Sequence, residues 1–270
     1  MKARIAEALK QSAGAVDRLR PPEPGAVVLI YHRVGRSSTL EVDLPTALFE
    51  EQMAYLSQSG RVVSIDTALD ALAAADPPER DPIVVTFDDG TADFVDVAMP
   101  ILERHRIPVT LYVATDFVDR AIPFPAEGTP LSWKALRDAQ TTGLVTTGSH
   151  THTHALLDRL TTAAIDEELD RSNDLIADQL GTAPTHFAYP KAVAGSAAAD
   201  TAVRRRYRSA ALAGTRPNPY GRTDPYRLAR SPVQLGDGMR WFRAKAAGGM
   251  RLEDDVRSVA NRWRYRGSTQ

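Results

Sequence analysis

Short apolar runs recur along the chain, separated by stretches whose hydrophobic positions repeat at helical spacing. The runs Val27–Tyr31, Val62–Ile65, Ile83–Phe87, Val109–Ala114, Leu144–Thr147, Phe187–Tyr189, Ser209–Leu212 and Leu228–Val233 read as strands. Ile83–Phe87 and Val109–Ala114 are rich in β-branched residues, and all the runs are too short for buried helices. Between them, helical patterns cover Leu48–Ser59 with Gly60 as the stop, Asp66–Ala75 with Asp66 as a cap, and Phe94–His105 with Pro100 inside. Further helices are predicted over Trp133–Gln140, Thr162–Leu180 closed by Gly181, Ala198–Tyr207, Met239–Ala247 and Leu252–Arg262. Left-handed glycine stops and side-chain oxygen caps set these ends. Strand and helix alternate about seven times. That rhythm predicts an α/β fold, a parallel sheet with helices outside.

At the N-terminus, Met1–Leu19 patterns as an amphipathic helix with Ile5, Ala8, Leu9 and Val16 on one side. It is followed by Arg20-Pro21-Pro22-Glu23-Pro24-Gly25, a linker no helix crosses. The expected organisation is therefore 1–25 helix and linker, 26–250 one α/β domain, and 251–270 a helix and tail.

Composition narrows the function classes. The chain has 270 residues, 43% of them hydrophobic, enough for a full core. With 33 Lys plus Arg against 34 Asp plus Glu, the net charge of −1 gives no basis for nucleic acid or an anionic membrane as partner. There is no cysteine, which excludes disulfides and thiolate metal sites. No segment approaches the ~20 apolar residues of a membrane span, and no apolar run of signal-peptide type follows the first charges. On this sequence the expectation is a cytoplasmic protein without membrane insertion.

The candidate chemistry sits just past two strands. Val84-Val85-Thr86-Phe87-Asp88-Asp89-Gly90 ends a buried strand in adjacent carboxylates. About sixty residues on, Gly148-Ser149-His150-Thr151-His152-Thr153-His154 delivers three imidazoles in five residues. One carboxylate with two imidazoles suits a divalent metal with open positions, and a second carboxylate is then free as a base. In an extended segment all three histidines share a face. In a helical turn after Ser149 only His150 and His154 do, and the apolar Ala155-Leu156-Leu157 favours that turn.

Thr-Phe-Asp-Asp-Gly followed by His-x-x-x-His resembles the polysaccharide deacetylases of carbohydrate esterase family 4. Leu29-Ile30-Tyr31-His32-Arg33-Val34, Phe49-Glu50-Glu51-Gln52-Met53, Leu131-Ser132-Trp133, Phe187-Ala188-Tyr189-Pro190 and Arg227-Leu228-Ala229-Arg230-Ser231-Pro232-Val233 fall in the order of one branch, so that the resemblance covers about residues 26–245. It implies a distorted (β/α)7 barrel in a single domain. It also implies a metal-dependent hydrolase that removes the acetyl group from an N-acetylated amino sugar. Asp88 matches the general base, and Asp89, His150 and His154 the metal ligands. Zn2+ is the first choice, with Ni2+, Co2+ or Mn2+ compatible with the same donors. Ala188 stands where many members have an arginine that pairs with the base, and Arg230 is the candidate replacement. No histidine follows His186, so the late histidine that protonates the leaving amine is missing, and His32 is the best remaining imidazole. Tyr189, Pro190, Lys191 and Trp133 are candidate substrate contacts, with the Lys191 N–H a candidate oxyanion donor.

The expected substrate is a small glycoside, a nucleotide- or lipid-linked sugar or a biosynthetic intermediate. The Pro/Gly-rich loop Thr115–Pro130 is expected to narrow the cleft, and Gly214–Asp224, with Arg216 and Arg222, to add a polar lid. The alternatives are a same-fold hydrolase of a non-sugar amide, a chitin or peptidoglycan deacetylase, and a non-catalytic binding protein.

Overall fold

The apolar runs become parallel neighbours because each is flanked by a helix long enough to return the chain to the same end of the sheet. The computed structural model describes residues 2–255. Its strands are β1 (Gly25–Tyr31), β2 (Arg33–Val34), β3 (Asp43–Leu44), β4 (Ile83–Phe87), β5 (Val109–Val113), β6 (Val145–Ser149), β7 (His186–Ala188), β8 (Ser209–Ala211), β9 (Asn218–Pro219) and β10 (Arg230–Pro232). The helices are α1 (Lys2–Leu19), α2 (Thr46–Ser59), α3 (Ile65–Ala73), α4 (Met99–His105), α5 (Thr115–Asp119), α6 (Trp133–Gln140), α7 (Thr162–Leu180), α8 (Ala197–Arg206) and α9 (Gly238–Ala246).

Seven strands run in the spatial order β10–β1–β4–β5–β6–β7–β8, and all the contacts along that path are parallel. The curled sheet is the distorted (β/α)7 barrel expected from the sequence. It is distorted because β7, β8 and β10 are only three residues long. Closure between β8 and β10 rests on the single bridge Ala211↔Leu228 and on Gly214 N donating to Arg230 O at 2.8 Å.

Alternation along the strands divides the core in two. Val27, Leu29, Tyr31, Val85, Phe87, Leu111 and Val113 face outward onto Phe49, Met53 and Leu56 of α2 and onto Phe94 and Leu136. Ala26, Val28, Val84 and Tyr112 face inward, where Ile65, Ala68, Leu69 and Leu72 of α3 join them. Helix α3 thus seals the N-terminal opening of the barrel, and chemistry is left to the other end. Fully burying each such aliphatic or aromatic side chain contributes about 1.5–3 kcal/mol.

Several expectations need correction. Val62–Ile65 is not a strand: Val62 makes one bridge to Ile83, and Ile65 already begins α3. The cap of α3 is Ser64, whose Oγ accepts from Thr67 N at 3.2 Å, while Asp66 lies in the first turn and pairs with Arg208. The helix expected over Phe94–His105 opens as a π-turn, Phe94–Ala98, before α4. Pro100 has no N–H to close an α-turn onto Asp96, so the wider ring, Met99 N to Phe94 O, takes its place. The loop from Thr115 begins as α5.

Helix α1 docks by a face other than the expected one. Lys10 and Ala13 are buried, and Val16 and Leu19 are exposed. Lys10 Nζ reaches Asp237 at 2.6 Å, which also pairs with the buried Lys245 at 2.8 Å. A buried charge is costly unless paired, so this three-residue anchor overrides the apolar stripe. Residues 251–255 are helical, and the rest of the helix expected over Leu252–Arg262, like the tail to 270, lies outside the described residues.

Candidate active site

Register decides which residues meet. Tyr31 lies opposite Phe87, Val113 opposite Ser149, and Ser149 opposite Phe187. The next residues, His32, Asp88, Ala114, His150 and Ala188, therefore line one end of the barrel. The handover is hydrogen-bonded, with Asp88 N donating to Tyr31 O at 3.1 Å and His150 N to Val113 O at 2.9 Å.

The two carboxylates at the end of β4 diverge. Asp89 has φ +77° and Gly90 φ +100°, a left-handed turn that points successive side chains apart. Asp88 turns inward and is 5% exposed. Arg230, at the start of β10 and 1% exposed, grips it with both arms: Nη1 donates to Oδ1 at 2.6 Å and Nη2 to Oδ2 at 2.8 Å. The guanidinium is itself fixed. Its Nη1 also donates to Thr86 Oγ1 at 3.1 Å, and it lies 5.0 Å over the Tyr112 ring. Burial pushes the Asp88 carboxyl up, but Arg230, His150 and His32 outweigh it and hold the group at about 2.

Asp89 turns toward the histidines. Its Oδ1 lies 3.7 Å from His150 Nε2 and 3.6 Å from His154 Nε2. One donor atom from each of the three residues falls within 4.8 Å of the others. His150 Nδ1 is 2.7 Å from Ala188 O, so Nδ1–H donates there and Nε2 is the ring nitrogen turned toward Asp89. Burial, reinforced by His150, lowers His154 to about 4 against the opposing pull of Asp89, so the imidazole is neutral near pH 7. Two imidazoles and a carboxylate converging on one point form a donor set that fits a divalent ion.

The turn after Ser149 is not helical. Thr151 (φ +64°) and His154 (φ +62°) are left-handed, and this folded loop brings His154 back beside His150, ring centroids 4.9 Å apart. His152 faces away, with Nδ1 2.9 Å from Thr115 Oγ1 and Nε2 3.6 Å from Asp116. No helix begins at Ala155-Leu156-Leu157; α7 starts at Thr162.

The remaining candidates divide. His32 lies close enough to stabilise the Asp88 carboxylate, and its Nδ1 is buried without a hydrogen-bond partner among the described residues. Pro190 and Lys191 form a 3-10 turn after β7, with Lys191 exposed and near enough to His154 to disfavour its charged form. Tyr189 does not face the site. Its ring is 2% exposed and packs on Phe187 in an outer cluster with Leu157, Ile165 and Ala199. Trp133 is also core: it heads α6 behind the Ser132 cap and donates from Nε1 to Asp119 at 3.4 Å. The segment expected as a lid lies at the other end of the barrel. Asn218 and Pro219 pair with Ala26 and Gly25 at the start of β1, and Arg222 pairs with Glu23. Sequence reasoning missed Thr86 and the Ala188 carbonyl. Thr86 was visible as an inward-facing polar position in an otherwise apolar strand.

Comparison with known proteins bears on the family and the fold. The polysaccharide deacetylase family profile matches residues 75–210, half of the chain. The chain belongs to the polysaccharide deacetylase family. Among solved structures it is similar to IcaB from Ammonifex degensii, with 26% identity and a TM-score of 0.72 over 83% of this chain and 99% of that one. The deacetylase PplD of Streptococcus pyogenes, solved in complex with acetate, shares the fold at 20% identity, a TM-score of 0.70 and coverage of 80% and 97%. Among curated proteins it is 27% identical over 141 residues to the poly-β-1,6-N-acetyl-D-glucosamine N-deacetylase of Escherichia coli, 48% of this chain and 21% of that protein. The chain spans between a fifth and about half of the length of the curated relatives it matches. Among the described residues, no helix is long and apolar enough to cross a membrane.

Proposed function

We propose that the protein is a metal-dependent N-deacetylase of an N-acetylated amino sugar. The observation that carries this reading is the separation of roles at the end of β4, with Asp88 locked by Arg230 and Asp89 converging with His150 and His154. Asp89, His150 and His154 would hold the ion, zinc first among those the donors suit. Bound there, a divalent ion lowers the pKa of water and polarises an acetamide carbonyl. Asp88, kept ionised and oriented by Arg230, takes the proton of the attacking water. His32, beside Asp88, protonates the departing amine, or Asp88 returns the proton it took. The N–H of Lys191, in the turn after β7, is the candidate donor to the developing oxyanion.

The small carrier-linked sugars expected from the sequence remain the first substrate reading. A polymer of β-1,6-linked N-acetylglucosamine is the second. It is favoured by the name of the E. coli relative and by the placement of residues 218–222 away from the site. Acetate release from metal-free and metal-loaded protein tests both. A panel of N-acetylglucosamine glycosides, nucleotide sugars, lipid-linked sugars and β-1,6 oligomers separates them. Metal-independent acetate release, or none from any amino sugar, overturns the proposal.

A further inference from the structure

We propose that Glu168 is a positioning residue that holds His154 at the metal site. This rests on the reading of Asp89, His150 and His154 as ligands. The two imidazoles are placed by different means. His150 follows β6 directly and its Nδ1 is tied to the Ala188 carbonyl at 2.7 Å. His154 stands at the end of a loop with two non-glycine left-handed residues, Thr151 and His154 itself. Such a residue is strained and persists only where its surroundings over-determine it.

Glu168 supplies that determination. Its Oε2 accepts from His152 N at 3.0 Å and Thr153 N at 2.9 Å, and its Oε1 accepts from Thr153 Oγ1 at 2.6 Å. One carboxylate thus takes both backbone donors between Thr151 and His154. Charge-assisted bonds of this kind are the stronger sort. The start of α5 holds the other side, with Asp116 N donating to His152 O at 2.9 Å and Thr115 N to Thr151 O at 3.3 Å.

The clamp is referenced to the strand that carries His150. Glu168 shares a face of α7 with Ile165, Leu169 and Ser172, all buried. Ser172 Oγ meets Ser149 Oγ, the residue before His150, at 2.8 Å. Helix α7 therefore fixes the spacing between the two imidazoles: Ser172 registers it against β6, and Glu168 holds the loop that ends in His154.

The test is zinc affinity of metal-free protein by equilibrium dialysis, with circular dichroism checking that each variant is folded. Removing an outer residue that orients a metal ligand typically weakens binding roughly 10–100-fold, the loss expected for Glu168→Ala. Glu168→Gln, which keeps one acceptor oxygen, should lie between alanine and wild type, and it carries the test if the alanine variant does not fold. In a His154→Ala background, Glu168→Ala should cause no further loss, because its effect runs through His154. Affinity within about twofold of wild type in the folded variant overturns the proposal, as does an equal loss in both backgrounds. Wild-type protein without zinc affinity would instead sink the deacetylase reading itself.

Discussion

The barrel carries an arginine, an aspartate and a histidine at each end, and the two sets differ in every respect that matters for chemistry. At the C-terminal end, Arg230 and Asp88 are nearly sealed and paired through both oxygens, with His150 Nε2 3.9 Å away. At the N-terminal end, Arg208 bridges Asp66 and Asp70, with Arg208 and Asp66 each about half exposed, and the buried His186 gives its Nδ1 to Ser209 at 2.9 Å. The first set adjoins a second carboxylate and a second imidazole on a strained loop. The second ties α3, which carries Asp66 and Asp70, to Arg208 beside β8 and closes that end of the barrel. Similar residue types thus form a reactive site only where strand ends let several of them converge. Where a helix closes the barrel they cross-link the fold.

Substitutions at the two ends should widen that contrast. Asp89→Ala, His150→Ala and His154→Ala should each weaken zinc binding and lower activity together, read as zinc affinity and acetate release. Asp88→Asn should keep its metal and lose about 10²–10⁴-fold in turnover, since it removes only the base. Near-wild-type turnover in that variant rules out Asp88 as the base. Arg230→Ala leaves a buried carboxylate unpaired and should cost about 3–5 kcal/mol in denaturant unfolding. It should also move the acid limb of the kcat/KM profile to higher pH, because the strongest pull lowering Asp88 is gone.

Acid should act through the same carboxylate. Asp88 titrates at about 2 in the folded protein against an ordinary 3.8. Its contribution to stability is therefore complete above the ordinary value and is lost as pH falls through about 2. Unfolding midpoints measured at pH 5 and pH 2.5 should show the loss in wild type and a smaller one in Asp88→Asn. The smallest effect belongs to the other end. Arg208→Ala removes half-exposed pairs worth about 0–1 kcal/mol and should leave kcat/KM unchanged. A large kinetic effect there would erase the distinction between the two ends.

Much of this was legible before the fold. Strand and helix rhythm, set by burial on one or two faces, is a local property, and it carried the α/β class and the parallel sheet, while the family resemblance carried the seven-strand barrel. The tandem carboxylates and clustered histidines stood out because metal chemistry demands unusual residue types close to strand ends. What misled were features whose outcome depends on distant partners. Ser64 rather than Asp66 caps α3, because Arg208, far along the chain, draws the aspartate away. Lys10 rather than an apolar stripe seats α1, because Asp237 and Lys245 lie beneath it. Tyr189 and Trp133 were candidate substrate contacts, yet both rings pack into the core.

By itself, then, the sequence determined the periodicity of the elements, the end of the sheet that bears chemistry and the residue types able to hold an ion. Only the tertiary structure decided that Arg230 lies across Asp88, 142 positions away in the chain. Likewise, it turned the histidine loop back through left-handed residues under the hold of Glu168, and carried the segment expected as a lid to the far end of the barrel. The physical reason is common to all three. Hydrophobic period and backbone preference act over a few residues, whereas a buried charge or a strained turn is stable only when a partner from elsewhere in the chain arrives to satisfy it.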